Sequence, residues 1–133
     1  FFKGMGDFGA ANGTGVALEA TPPVYGTNFL NTTAQAFAMA RRVGSPGCRV
    51  NLDYGTIMIN NEEVSDLEGR VDEINHVHIS APQLAAIEPE QGHRLLADLL
   101  RSEGYAGSVS VEMKAQPLEE VRRAAAYLTE VFA

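Results

Sequence analysis

"NHVHIS", residues 75–80, sets two histidines at alternate positions in an otherwise apolar run, and its reading decides the fold. Side chains alternate across a strand, so His76, His78 and Ser80 share one face while Val77 and Ile79 share the other. Three more segments carry the same pattern: "GVALEA" at 15–20, "CRVNLD" at 48–53 and "SVSVEM" at 108–113. One parity of each is aliphatic: Val16, Leu18 and Ala20; Val50 and Leu52; Val109, Val111 and Met113. The opposite parity is polar: Glu19; Arg49, Asn51 and Asp53; Ser108, Ser110 and Glu112.

Each of these strands is followed by a helical pattern. After the first, Asn31 to Thr33 offer caps for a helix that stops at Gly44. After the second, most of "TIMINNEEVSDLEGRVDEI" is expected to be helical, with Ser65 as its cap. After the third, Leu95, Leu96, Leu99 and Leu100 are expected to share one helix face, closed by Gly104, with His93 solvated among charged neighbours. After the fourth, Pro117 opens a helix with Leu118, Val121, Ala125 and Leu128 at helical spacing. Strict alternation of strand and helix predicts parallel βα units. Parallel sheets are ordinarily buried on both faces and nearly all apolar, so one polar face implies that the sheet encloses a site, as a barrel interior does. The predicted class is α/β of the TIM-barrel type, with about four βα units.

Composition narrows the function. The chain has 133 residues, 45% of them hydrophobic, enough for one soluble globular domain with a core. With 17 acidic against 10 basic residues its formal charge is -7, which argues against a nucleic-acid surface built on phosphate neutralisation. No apolar run approaches the roughly 20 residues of a membrane span, and the start lacks a secretory signal's apolar centre, so a cytoplasmic location is expected. Cys48 is the only cysteine, which fits a reducing compartment and a small buried side chain. The sequence opens without an initiating Met, and its first dozen residues read as a helix ending at Asn12 and Gly13; the chain is expected to be part of something longer.

The last acidic or histidine position of each strand is Glu19, Asp53, His78 and Glu112, at intervals of 34, 25 and 34 residues, about one βα unit each. In a (β/α)8 barrel the C-terminal strand ends carry the active site. Three carboxylates and an imidazole converging there make a site for a divalent metal, with Mn2+, Mg2+, Co2+ and Zn2+ all chemically compatible. A cation also offsets the repulsion among the carboxylates. His76 and Asn51 share this face two residues deeper and are candidates for the wall of the site or for substrate contact.

Taken in order, "ALEATPPVYGTNFLNT", "VNLDYGT", "NHVHISAPQL" and "GYAGSVSVEMK" resemble the xylose isomerase-like TIM barrels, a family that includes sugar phosphate isomerases and epimerases. The resemblance spans residues 1–133 as one domain and matches strands five to eight, the C-terminal half of the barrel, with residues 1–13 as the tail of the preceding helix. It implies one metal, Mn2+ before the others, held by Glu19, Asp53, His78 and Glu112. It further implies proton transfer by Glu19 and Glu112 on opposite faces of an enediolate formed from an open-chain sugar or sugar phosphate. Two positions depart from the family pattern: Thr56 stands where a histidine often follows the metal-binding Asp, and Ala81 where a carboxylate is common. Dehydration of a cyclic polyol on the same barrel is an alternative. A nuclease of the endonuclease IV type would call for more histidines and a cationic surface. A catalytically incomplete half-barrel is a third reading, its open sheet closed by a missing N-terminal half or by a second copy of the chain.

Overall fold

Leu18, Ala20, Val50, Leu52, Val77 and Ile79 are buried and Val16, Val109, Val111 and Met113 half-buried against them, with the polar parity turned to the other side, as alternation requires. A computed structural model describes residues 1–133. Strands β1 (Val16–Glu19), β2 (Cys48–Asp53), β3 (Ile74–Ser80) and β4 (Ser108–Glu112) form one parallel sheet in sequential order. Helix α1 (Phe2–Ala11) precedes it, and α2 (Thr33–Val43), α3 (Tyr54–Asn60), α4 (Gln91–Ser102) and α5 (Leu118–Phe132) each follow a strand. Four consecutive parallel βα units constitute a partial (β/α)8 barrel, with β1 and β4 as its edges.

The core lies between the sheet and its helices. Leu18, Val50, Leu52, Val77 and Ile79 from the strands pack with Phe37 of α2, Ile57 of α3, Leu96 and Leu100 of α4, and Leu128 of α5. Thr32 caps α2 by accepting a hydrogen bond from the Gln35 amide at 3.2 Å, and Gly44 ends it in the left-handed conformation. Helix α1 approaches β2 closely because a side chain is missing on both sides: a Cβ on Gly47 would lie 2.1 Å from the Gly6 carbonyl oxygen. Val50 pairs with Ile74 but Asn51 pairs with His76, so Asn75 is the extra residue of a bulge. The bulge lets Ile74 join the core although it has the same parity as His76.

Four sequence expectations are corrected. Helix α3 starts directly after β2, capped by Asp53 rather than Ser65, and stops at Asn61, which is left-handed at φ 52. Residues 64–67 and 71–73 form 3-10 turns instead of a continuous helix. In α4, two adjacent leucine pairs span more arc than one face can bury: Leu96 and Leu100 are in the core while Leu95 is exposed. The buried stripe is His93, Leu96, Ala97 and Leu100, so His93 is a core residue, 2% exposed. The stripe of α5 is likewise Ala124, Leu128 and Val131, leaving Leu118, Val121 and Ala125 outside.

His93 packs edge-on against Tyr54, ring centroids 4.5 Å apart, and its Nδ1 lies 3.2 Å from the Tyr127 hydroxyl. Its Nε2 has no partner, and burial pushes its pKa down from 6.5 to about 4. Above pH 6.5 the imidazole is neutral whether the chain is folded or not. As pH falls from 6.5 toward 4, the unfolded chain takes up a proton that the folded chain refuses, so stability is lost in that window. His93→Leu is expected to lose less stability than the unsubstituted chain between pH 6.5 and 4, read as the urea midpoint against pH. Parallel profiles would contradict this account.

Candidate metal centre

Four strands deliver one group each to the polar face. The ligand-capable atoms of Glu19, Asp53, His78 and Glu112 all lie within 4.8 Å of one another. They do not share a rung of the ladder. Glu19 pairs with Asn51, Asp53 with His78, His78 with Ser110, and Ser80 with Glu112. Along the rungs, therefore, Asp53 and His78 sit two residues beyond Glu19, and Glu112 two residues beyond them. Strands of a (β/α)8 barrel tilt by about 36° with a shear of about one residue per strand. That stagger converts the offset rungs into one depth at the mouth.

Asp53 is the most constrained of the four. Its Oδ1 accepts the Thr56 amide at 2.7 Å, capping α3, and its Oδ2 accepts the Ser80 hydroxyl at 2.7 Å. Ser80 in turn accepts the Gly55 amide at 3.1 Å, and a Cβ on Gly55 would come within 2.2 Å of the Ser80 oxygen. Each carboxylate oxygen keeps a lone pair for a cation. Sequence reasoning missed this supporting set of Gly55, Thr56 and Ser80; the signal was the Asp-x-x-Thr spacing immediately after a strand. Thr56 also donates its hydroxyl to the Ala20 carbonyl at 3.0 Å, tying α3 to the end of β1.

The other three groups meet at His78 Nδ1. Glu19 Oε2 lies 3.4 Å away, Glu112 Oε2 3.2 Å, and the Asn51 amide nitrogen Nδ2 3.1 Å. The same Asn51 Nδ2 donates to Glu19 Oε2. An amide N–H requires a lone pair on Nδ1, whereas two carboxylates require a proton there; neither state of the imidazole satisfies all three. A divalent ion taking the Nδ1 lone pair would satisfy the imidazole and both carboxylates, leaving the Asn51 amide its hydrogen bond to Glu19. Bonds of about 2.0–2.2 Å to such an ion place its ligand atoms roughly 3 Å apart when adjacent and about 4.3 Å when opposite, in keeping with this cluster. The donor set of three carboxylates and one imidazole fits the group. Burial, then the Asp53 carboxylate, push the Glu19 carboxyl up, with Glu112 adding to the rise; His78 and the Asn51 amide pull it back. His76 sits one step deeper, its Nε2 2.8 Å from the Ser110 hydroxyl and its ring edge-on to His78 at 5.0 Å. His93 is not part of this set; it lies on the buried stripe of α4.

A half-barrel with an acidic and histidine cluster at the strand ends defines a class, and sequence comparison supplies the family. The chain matches the xylose isomerase-like TIM barrel model over residues 2–131 and belongs to that family. Among solved structures, a D-psicose 3-epimerase determined in the presence of D-fructose superposes with a TM-score of 0.81 at 19% identity, over 98% of this chain and 54% of that one. The 3-keto-D-glucoside 4-epimerase of E. coli gives 0.74 at 24% identity, covering 91% and 48%. A family 2 AP endonuclease from Brucella melitensis gives 0.79 at 23%, covering 97% and 51%. The chain thus spans about half the length of these structures, and the likeness is one of fold. A comparison with curated proteins gave no match. No helix is long and apolar enough to cross a membrane.

Two substitutions separate the roles of these groups. With metal removed by EDTA, Glu112→Gln deletes one of three crowded charges and is expected to leave the urea midpoint unchanged or raised. Asp53→Ala deletes the cap of α3 and is expected to cost about 1 kcal/mol or more. Equal destabilisation by both would contradict this division.

Proposed function

We propose that this chain carries the metal-binding half of a barrel that isomerises or epimerises open-chain sugars or sugar phosphates by proton transfer. The observation that carries the reading is the convergence of Glu19, Asp53, His78 and Glu112 at the C-terminal mouth of a parallel sheet. These four residues would hold a divalent ion, Mn2+ before Mg2+, Co2+ or Zn2+. When bound, such an ion supplies Lewis-acid polarisation of a carbonyl or hydroxyl oxygen.

The remaining chemistry belongs to the side chains. Glu19 and Glu112 come from β1 and β4, on either side of His78, and are the proton-moving pair. Burial holds the Glu19 carboxyl above its ordinary value, the direction that suits a group taking a proton from carbon and giving it back. Removal by one carboxylate and return by the other on the opposite face inverts the carbon, which is epimerisation; return to the neighbouring carbon is isomerisation. Asp53 is fixed at both oxygens by Thr56 and Ser80, a ligand and not a proton carrier. His76, bonded to Ser110, lies one step deeper on the same face and is the candidate for substrate contact from below. Thr56 and Ala81 offer the substrate neither an imidazole nor a carboxylate; Thr56 is committed to the Ala20 carbonyl. The polar face stays uncovered between the β1 and β4 edges, so a substrate is enclosed only when a further half-barrel closes it, whether preceding strands or a second copy about a twofold axis. The acidic charge of the chain and the single four-group cluster favour a sugar over a nucleic acid.

The test is solvent exchange. A version spanning a whole barrel, incubated with Mn2+ and a panel of free and phosphorylated ketoses in D2O, is expected to place deuterium on the product carbon without loss of water. Glu19→Gln and Glu112→Gln should each slow this by about 10²-fold or more. The 133-residue chain alone should bind Mn2+ yet show little turnover. Water loss would point to a polyol dehydratase instead, and comparable rates from the half and the whole would overturn the need for closure.

A further inference from the structure

Asn51 occupies the middle strand of the cluster, two residues before Asp53, and is 8% exposed. It lies opposite Glu19 on one side and His76 on the other in the ladder. We propose that Asn51 is a positioning residue of the metal centre: its amide donates to Glu19 Oε2 and so holds that ligand beside His78 Nδ1 before any ion arrives. The inference rests on the metal centre proposed above and extends it to a group that does not itself ligate.

Three observations carry it. One amide nitrogen reaches two ligands on two different strands, donating to Glu19 Oε2 and lying 3.1 Å from His78 Nδ1. An amide nitrogen has two hydrogens, one for each. The Nδ1 lone pair is what an ion would take, so the hydrogen bond that survives ion binding is the one to Glu19, whose oxygens keep further lone pairs. The second observation is the far end of the amide. Asn51 Oδ1 is buried and has no partner. A residue placed for stability would have both ends satisfied, and here only the end facing the ligands is. Turning the amide over would set its carbonyl against the Glu19 carboxylate, so the neighbours dictate the orientation. The third is the layer below. His76 is fastened to Ser110 at 2.8 Å and stands edge-on to His78 at 5.0 Å, so the His78 ring is supported from beneath while Asn51 fixes it from the side. Enclosed in this way, Asn51 acts on the ligands in place of touching substrate.

Groups that orient ligands in this manner typically change metal affinity by about 10–100-fold when removed. The experiment is a calorimetric Mn2+ titration of the chain and of Asn51→Leu and Asn51→Ala, with urea midpoints in EDTA and the visible spectrum of the Co2+ form. The unsubstituted chain is expected to bind one Mn2+. Both variants should bind it about 10–100-fold more weakly and show a shifted Co2+ spectrum, which reads the ligand field and not stability. Their urea midpoints should be unchanged or higher, because a buried unpaired carbonyl has been removed. Affinity within twofold of the unsubstituted chain, or a loss matched by a fall in midpoint, overturns the assignment while leaving the metal centre standing. No Mn2+ binding by the unsubstituted chain overturns the metal centre and this inference with it.

Discussion

Glu19, Asp53 and Glu112 bring three carboxylates to one point of the sheet, with a single imidazole between them. Like charges at such separations repel, and burial raises the cost of keeping them ionised. Burial and the Asp53 charge are already felt at Glu19, whose carboxyl is pushed up. The surrounding structure is arranged to hold this crowding in place: Asp53 is tied at both oxygens, Glu19 is tied by Asn51, and His78 is wedged between two carboxylates. A protein selected for stability alone would relax the crowding of Glu19 and Glu112 against His78. A site that must receive a cation has reason to keep them.

Asp53 links the fold to the site. The same carboxylate ends β2, starts α3 and faces the cluster, so the helix cannot form in its present position without placing the ligand. Gly55 and Ser80 complete the connection, since the close approach of α3 to β3 depends on the missing side chain at Gly55. Strand tilt does the rest, lifting residues from three different rungs to a common depth. Thr56 shows how local chemistry can be redirected within the same frame: its hydroxyl braces β1 through Ala20 and offers nothing to the cavity.

The sheet was legible because its signal is a simple period. Alternation over four segments separates Leu18, Val50, Leu52, Val77 and Ile79 from Glu19, Asp53, His78 and Glu112, and the structure places the first set in the core and gathers the second at the mouth. What escaped the sequence was set by geometry that period alone does not encode. His93 has charged neighbours along the chain but lies on the buried stripe of α4, where tyrosines enclose it. The start of α3 was masked because Asp53 reads first as a ligand, while Ser65 looks like a cap and is followed only by a short turn. Leu95 and Leu118 fit the helical spacing, yet their positions are a fraction of a turn off the face each helix buries. The hydrogen bonds of Asn51 depend on the β1–β2 and β2–β3 registers, the latter containing a bulge at Asn75 that no composition signals.

We propose that these crowded groups seat one divalent cation. Anomalous diffraction at the manganese edge, from crystals of this chain grown with Mn2+, tests it most directly. The account predicts one strong peak bonded by Glu19, Asp53, His78 Nδ1 and Glu112. No peak at that position, or one coordinated by other residues, would contradict it.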